Sequence, residues 1–267
     1  MSEKRFEPSR RTFAWGLALA ALRPGPAGAL SAPNADTLLR RADEIRNPDR
    51  AFAVTTALLE FKNDRQTQTM SLRAYSSSGG PAQQFRSLVE ILAPAQDKGK
   101  LILKDGVSLW MFDPVSKATI RISPQQRLLG QAANGDVVTT NFAFDYRAKL
   151  AGADDITDGD RKAVHCWKLS LEARTPDTTY RKALLWLAQD DNRPVKAQFF
   201  VDSGMLLKTA FYRRMQPVLG IRRPTETVMI DGLDPKWITV MRFSHHASRD
   251  IPDTWLQRDY LPRFKAQ

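Results

Sequence analysis

The sequence has one cysteine, Cys166, and three histidines in 267 residues. A single cysteine cannot form an intramolecular disulfide, which excludes a disulfide-stabilised fold. Cys166 lies in an alternating segment, and this pattern favours a small buried side chain on a strand over a catalytic thiol. His245 and His246 are adjacent, so on a strand they point to opposite faces and cannot chelate one metal ion together.

Motifs for cofactor binding and catalysis are also missing. The chain has no glycine-rich phosphate loop, no paired-cysteine motif, no His-Glu-x-x-His and no Gly-x-Ser-x-Gly. Residues 154–160 are acidic, but Ile156 and His165 stand where a calcium loop needs oxygen ligands. We therefore expect no cofactor, no metal and no enzymatic activity. A hydrolase whose site has no recognisable motif is the alternative.

Apolar runs long enough to cross a bilayer are not found in the N-terminal region. Residues 13–22 form an apolar run of ten, about half of the roughly 20 that a membrane helix needs. Arg10 and Arg11 precede this run, and the small residues Ala27-Gly28-Ala29 follow it. This order is typical of an export signal, and the paired arginines favour the twin-arginine route over the general secretory one. The sequence thus predicts a signal peptide at 1–29, cleaved near Ala29, and a single periplasmic domain at 30–267.

Basic residues outnumber acidic ones, with a formal net charge of +11. Residues 1–29 hold five Lys/Arg and two Asp/Glu, so their removal lowers the charge to +8. An exported protein meets little nucleic acid, so the charge favours anionic lipid head groups or an acidic partner. A basic surface that serves only solubility is the other interpretation.

Hydrophobic periodicity predicts one helix followed by many strands. Residues 35–46 have Leu38, Leu39, Ala42 and Ile45 on one helical face, and Asn47-Pro48 ends the helix. From residue 67 onward, segments alternate polar and apolar residues between turn signals at regular spacing. Asp105-Gly106 between two apolar runs is a strong hairpin signal. The fold class is mainly β, a sandwich, barrel or half-barrel, with a short helix near the C-terminus at residues 253–260.

Residues 123–160 interrupt this rhythm. Pro124–Leu129 is predicted as a short helix, 131–136 as a loop, and 141–146 as an aromatic segment. An insertion of this length in a sheet protein often acts as a lid or plug. Phe142, Phe144 and Tyr146 are therefore candidates for a gate, with a crossover that packs its aromatics into the core as the alternative.

Several segments, in order along the chain, resemble one protein family. Leu101–Pro114 contains a hairpin bracketed by Trp110 and Pro114, and Lys117–Ser123 is the basic stretch after it. Further matching segments are Asp136–Tyr146, Pro194–Phe200, Gly204–Thr209, Arg223-Pro224 and Met229–Asp231. Together they resemble the outer-membrane lipoprotein-sorting protein family, within the LolA/LolB-like superfamily of periplasmic carriers. The likeness spans residues 35–262.

The resemblance implies a strongly curved antiparallel sheet that forms an incomplete barrel. It also implies helices over the open side and an apolar cavity that shields acyl chains. Strand alternation then supplies candidate lining residues. They are Met70, Leu72, Phe85, Val89, Ile91, Leu101, Leu103, Leu109, Met111, Trp167, Leu169, Phe199, Leu207, Phe211, Trp237 and Met241. An ordinary packed core is the alternative for each of them.

Two functions fit the sequence. The first is a monomeric periplasmic carrier of lipid or lipoprotein acyl chains, which serves an inner-membrane exporter or outer-membrane sorting. The second is an adaptor that docks on a membrane transporter and carries no cargo. Neither needs nucleic acid, nor stable membrane insertion of the mature chain.

Overall fold

The computed structural model describes residues 33–77 and 83–266. The predicted signal peptide and residues 78–81 of a predicted turn lie outside the described residues. The helix α1 spans Ala35–Arg46, as its apolar spacing predicts. Asn34 caps it, since its side chain accepts a hydrogen bond of 3.0 Å from the backbone N–H of Thr37.

Fifteen strands and one short second helix, α2, follow in the described part of the chain. The strands are β1 (Phe52–Lys62), β2 (Arg65–Ser77), β3 (Arg86–Ala93), β4 (Leu101–Asp105), β5 (Ser108–Asp113), β6 (Ala118–Ile122), β7 (Arg127–Leu129), β8 (Ala132–Ala133), β9 (Tyr146–Thr157), β10 (Ala163–Ala173), β11 (Lys182–Ala188), β12 (Pro194–Phe200), β13 (Leu206–Val218), β14 (Ile221–Asp231) and β15 (Trp237–Ser248). Helix α2 spans Phe142–Asp145, and short 3-10 helices span Asn134–Asp136, Asp253–Leu256 and Arg258–Arg263.

Thirteen of these strands form one antiparallel sheet in the order β6-β5-β4-β3-β2-β1-β15-β14-β13-β12-β11-β10-β9. Nearly all neighbours are consecutive in the chain, and the exception pairs β1 with β15, which brings the two ends of the domain together. The sheet does not close, because β6 and β9 are its two edges. This architecture confirms the predicted mainly β fold with an incomplete barrel.

The gap between the two edges is bridged by the loop between β10 and β11. Arg121 on β6 lies 3.4 Å from the carboxylate of Asp177 in this loop. The side-chain amide of Gln125 donates to the carbonyl of Thr178 at 2.8 Å. Within the described residues, no helix is long and apolar enough to span a membrane.

The two faces of the sheet carry separate apolar clusters. The inner face packs against α1 and holds the main cluster, with Leu58, Leu72, Ile102 and Leu185 fully buried. The outer face carries a second cluster over β2–β5, where Trp255, Leu256 and Leu261 of the C-terminal 3-10 helices cover Tyr75 and Leu103. The predicted C-terminal helix is therefore present as 3-10 turns.

The predicted interruption at 123–160 is shorter in the structure. Residues 123–145, here called the insert, contain the small β7–β8 hairpin, a 3-10 turn and α2. Residues 146–157 are instead the edge strand β9, paired with β10 along its length. The predicted helix at Pro124–Leu129 is wrong, because Arg127–Leu129 pairs with β8 as a strand.

Candidate functional site

A cavity of about 150 Å³ lies on the inner face of the sheet. Its walls are the C-terminal end of α1, the insert, and strands β1, β2 and β12–β15. The apolar part of its lining is Phe52, Val54, Ala74, Val137, Val138, Phe142, Tyr146, Phe199, Ala210, Met229 and Phe243. This volume is below the roughly 300–1,000 Å³ typical of small-molecule sites.

The insert fills the rest of the inner face and fits it closely at two glycines. A Cβ on Gly130 would lie 2.2 Å from Oγ1 of Thr239, and the φ of +54° at this residue also favours glycine. A Cβ on Gly135 would lie 2.0 Å from Oγ1 of Thr179. Larger residues would push the insert away from the sheet at Gly130 and away from the loop between β10 and β11 at Gly135.

A buried lysine joins the insert to the sheet. Lys208 on β13 is only 1% exposed, and its ammonium donates to Oδ2 of Asp136 at 2.6 Å and to the carbonyl of Gln131 at 2.7 Å. Both acceptors belong to the insert. Burial lowers the pKa of Lys208, and the nearby Asp136 carboxylate opposes this effect.

Tyr180 completes this group from the loop between β10 and β11. Its hydroxyl donates to Oδ2 of Asp136 at 2.7 Å, and its ring lies under the Lys208 ammonium at 4.8 Å. Burial raises the pKa of Tyr180 well above its usual value, and Asp136 adds to the shift. The phenol is therefore a neutral hydrogen-bond donor. All three groups are engaged in holding the insert.

A buried arginine holds the end of α1 against the sheet. Nη1 of Arg223 on β14 donates to the backbone carbonyls of Glu44, Ile45 and Asn47, the last two at 2.9 and 2.7 Å. These carbonyls have no partner within the helix, and a cation there also meets the negative end of the helix dipole. Arg223 thus holds the C-terminal end of α1, the helix that forms one wall of the cavity.

Helix α1 is also joined to the insert. Oδ2 of Asp43 accepts a hydrogen bond from the backbone N–H of Ala143 at 2.7 Å, and Arg46 lies 2.7 Å from Oδ1. The Arg46 guanidinium also stacks 3.7 Å from the ring centroid of Phe142. Burial raises the pKa of Asp43 to about 6, although Arg46 opposes the shift. Helix α1 and α2 therefore form one cover over the cavity.

His246 lines the cavity near Arg223. Burial, together with the charges of Arg223 and Arg73, lowers its pKa to about 4. Its neighbour His245 is exposed, with a φ of +51° at an irregularity between β1 and β15. The imidazole of His246 is therefore neutral at pH 7, in a region of positive potential.

Most of the predicted lining residues lie in the inner-face cluster. Buried there are Met70, Leu72, Phe85, Val89, Ile91, Leu109, Leu169, Phe199 and Met241, and partly buried against it are Met111, Trp167 and Leu207. Of all sixteen, only Phe199 lines the cavity. The gate candidates Phe142 and Tyr146 also line it, with ring centroids 5.4 Å apart.

The placement of Leu101 and Leu103 on the same face as Leu109 and Met111 is wrong. In the β4–β5 hairpin Leu103 is opposite Trp110 and Leu101 is opposite Phe112. Directly opposite residues share a face, so both leucines lie in the outer cluster.

Three other predicted residues also lie away from the cavity. Phe211 sits between Ala210 and Tyr212, which both line the cavity, so alternation places it on the outer face. Trp237 donates its indole N–H to Oε1 of Glu60 at 2.7 Å, outside the cavity lining. Phe144 is 43% exposed and lies over a separate crevice beside Lys104.

Among the polar residues around the cavity, Lys208 and His246 were not predicted from sequence, whereas Arg223 is one of several basic residues that the sequence offers for lipid phosphates or an acidic partner. Lys208, Arg223 and His246 each lie on a strand where alternating lysines, arginines and histidines are usually solvent-facing. The sequence indicates them only through apolar residues on the same face of the strand. Ala210 shares a face with Lys208, and Met229 shares a face with Arg223. Among the described residues, no group of three or more His, Cys, Asp or Glu side chains could hold a metal ion.

Comparisons with known proteins give a consistent result. A family model described only as an uncharacterized protein matches residues 83–263. A crystal structure of a LolA superfamily protein from Nitrosomonas europaea is 36% identical, with a TM-score of 0.76, and the match covers 86% of this chain and all of that one. No curated protein matches the chain.

Two more distant structures share the fold. One is a DUF1329 family protein from Desulfovibrio piger, with 19% identity and a TM-score of 0.71 over 85% of this chain and 97% of that one. The other is a domain assigned as an outer membrane lipoprotein-sorting protein from Vibrio parahaemolyticus. It has 17% identity and a TM-score of 0.72 over 86% of this chain and 98% of that one.

Proposed function

The chain belongs to the LolA superfamily, and from this premise we propose that it is a periplasmic carrier that shields lipid or lipoprotein acyl chains. The observation that carries the proposal is the apolar cavity between the curved sheet and a cover made of α1 and the insert. Each acyl methylene that moves from water into such a cavity contributes about 0.8 kcal/mol. A carrier of this kind needs no covalent chemistry and no cofactor.

A cavity of about 150 Å³ is too small for an acyl chain, so the cover has to move when cargo enters. The insert and α1 pack apolar side chains against the sheet, and polar contacts from Lys208 to Asp136 and from Arg223 to the end of α1 hold them in place. Movement of the cover would exchange these contacts for water, and hydrogen bonds to charged groups contribute about 1.5–3 kcal/mol each, which the burial of several acyl methylenes can offset. Displacement of Phe142 and Tyr146 with the insert would add their volume to the cavity, which gives them the role of a gate.

Export is part of the proposal. We assign residues 1–29 as a signal peptide that delivers a single domain, residues 30–267, to the periplasm. In that compartment acyl chains have to cross water between two membranes, and the carrier supplies the apolar environment. An inner-membrane transporter is the expected donor of the cargo.

The proposal is tested by lipid that purifies with the protein. The protein is isolated from the periplasm without detergent, and native mass spectrometry measures bound mass before and after solvent extraction. We expect wild type to carry acyl lipid. Ala210→Leu, which fills the cavity, should carry much less while its melting temperature is unchanged or raised.

Ala118→Leu adds the same side chain on the exposed edge strand β6 and serves as the matched control. It should keep the wild-type lipid content. Wild-type protein that never carries lipid, and binds none when lipid is offered, would contradict the carrier function. The second function, an adaptor that docks on a membrane transporter without cargo, would then remain.

A further inference from the structure

A buried arginine without an ion-pair partner lies in the wall of the cavity. Arg223 is only 2% exposed, and no carboxylate lies within 4.0 Å of its guanidinium among the described residues. Its hydrogen-bond partners are four backbone carbonyls, the fourth being that of Val218 at 3.3 Å. A buried charge normally pairs with an opposite charge, since desolvation alone is costly.

Two hydrogen-bond donors at this point of the wall are free. Within the described parts of the chain, Nη2 of Arg223 makes no hydrogen bond, and neither does the imidazole of His246. Both residues line the same cavity, and they are close enough for the charge of Arg223 to depress the pKa of the histidine. Nη2 of Arg223 and the imidazole of His246 thus offer hydrogen-bond donors in a region of positive potential, and no acceptor among the described residues binds them.

The acidic groups around the cavity do not fill this role. Asp136 is held by Lys208 and Tyr180, and Asp43 is held by Arg46 and Ala143. Asp145 accepts from the side-chain amide of Gln84 at 2.8 Å, and burial raises its pKa. The charge of Asp49 acts on Arg223 from beyond 4.0 Å, and Asp49 itself pairs with Arg50 at 2.9 Å. Each carboxylate thus has its own partner, and Arg223 can still form an ion pair with an anion from outside the chain.

The geometry points to a head-group site: we propose that Arg223 and His246 bind the anionic phosphate of an amphiphile whose acyl chain occupies the apolar part of the cavity. This inference rests on the proposed carrier function and names the class of cargo. The phosphate accepts charge-assisted hydrogen bonds from Nη2 of Arg223 and from the imidazole. Phe199, Met229 and Phe243 would contact the chain. A neutral acyl lipid finds the same apolar contacts but leaves the cation unpaired.

Two ligands that differ only in the phosphate test this assignment. Palmitoyl lysophosphatidic acid and monopalmitoylglycerol share the glycerol and the chain. We expect the wild-type protein to bind the phosphate-bearing lipid about tenfold more tightly or better. Equal affinity for the two would overturn the head-group site while the carrier function stands. Failure to bind either would overturn both.

Variants separate the charge of Arg223 from its structural role. Arg223→Gln keeps donors for the helix carbonyls, so it should bind monopalmitoylglycerol at least as well as wild type and lose most of the preference for phosphate. His246→Asn should also reduce the preference, whereas His245→Asn should not. Asparagine tolerates the positive φ of residue 245, which makes that variant a matched control. A preference unchanged in both Arg223→Gln and His246→Asn would overturn the assignment.

Histidine NMR of the wild-type protein gives a readout that does not depend on any variant. The pKa of His246 should rise when lysophosphatidic acid binds, while the resonances of His165 and His245 stay unchanged. Inorganic phosphate at the same concentration is the third arm. If it shifts His246 as strongly as the lipid does, the site takes free phosphate and the assignment to a lipid head group is wrong.

Discussion

Lys208 illustrates how one residue can determine the position of a whole segment. Its neighbours alternate, and the large apolar side chain of Phe211 suggests that the face of β13 opposite to Lys208 is turned inward. The structure instead turns Lys208 inward, because its ammonium finds Asp136, 72 positions away in the chain. The partner that compensates burial is distant in sequence, so local periodicity could not predict the buried lysine.

Removal of one partner should strongly destabilise the domain. Lys208→Met leaves Asp136 without its cation, and we expect the free energy of unfolding to fall by about 3–5 kcal/mol. The double variant Lys208→Met/Asp136→Leu should be more stable than the single one, because no unpaired charge remains. Urea unfolding measures all of them, with the exposed Lys182→Met as a control expected within about 0.5 kcal/mol of wild type. A single variant as stable as the control would show that the ion pair does not hold the insert.

Asp43 should make the cover sensitive to pH. Its pKa in the fold, about 6, lies above the ordinary value of 3.8. The folded state therefore takes up a proton between pH 6 and pH 4 that the unfolded chain does not. The stability contributed by this residue is full below about pH 4 and is lost as pH rises through 6, by at most about 3 kcal/mol.

Urea unfolding at pH 4, 5, 6 and 7 tests this dependence. The stability of wild type relative to Asp43→Asn should increase as the pH falls from 7 to 4. Asp64→Asn, in the exposed turn between β1 and β2, should follow the wild-type curve. A constant difference between wild type and Asp43→Asn would contradict the raised pKa.

At the scale of elements, the sequence predicted α1 to its ends and the β4–β5 hairpin by its turn. The face of each hairpin residue was predicted less well. The observed register pairs Asp105 with Ser108, which puts Leu103 opposite Trp110. A change of one position in register exchanges the two faces of a strand. The assignment of Leu101 and Leu103 to the inner face was wrong for this reason.

The insert was predicted as a segment but not as a structure. Its short hairpin and α2 are specified by contacts with the sheet, such as the backbone N–H of Gln131 to Oγ1 of Thr239 at 2.7 Å. Its own sequence has too little apolar periodicity to indicate a fold. The close approach at Gly130 and Gly135 becomes visible only once the opposite wall is in place.

Locking the insert should block uptake. An ideal Cβ at Gly135 lies 2.9 Å from the Cβ of Thr179, so a small adjustment allows a disulfide in Gly135→Cys/Thr179→Cys. The oxidised protein should not bind a fluorescent acyl probe, and reduction should restore binding, because the gate must move to enlarge the cavity. Cys166 should not interfere, since it is buried and burial raises its pKa to about 11.

The Thr179→Cys single variant under the same oxidising conditions controls for effects of the oxidant. Equal binding by the oxidised and reduced double variant would show that cargo enters without movement of the insert. In that case α1, held by Arg223, would be the remaining element of the cover.

At the scale of the molecule, the class of fold followed from regularly spaced strands and from family-like segments. Because the barrel is incomplete, its apolar inner face would contact water unless other elements of the chain covered it. The loop between β10 and β11 bridges its two edges, β6 and β9, and α1 and the insert occupy the interior. The cavity is the space left between these elements. Its size and polarity depend on contacts between distant segments, so sequence could suggest a cavity but not its lining.

The central claim is that acyl chains bind on the inner face beneath this cover. Photolabelling with a phospholipid that carries a diazirine in its acyl chain, followed by peptide mass spectrometry, tests it most directly. The account predicts labels on the segments that line the cavity, around Phe199, Tyr212 and Met229, and their loss in Ala210→Leu. Labels confined to the outer cluster around Trp255 and Leu261, or unchanged in Ala210→Leu, would contradict it.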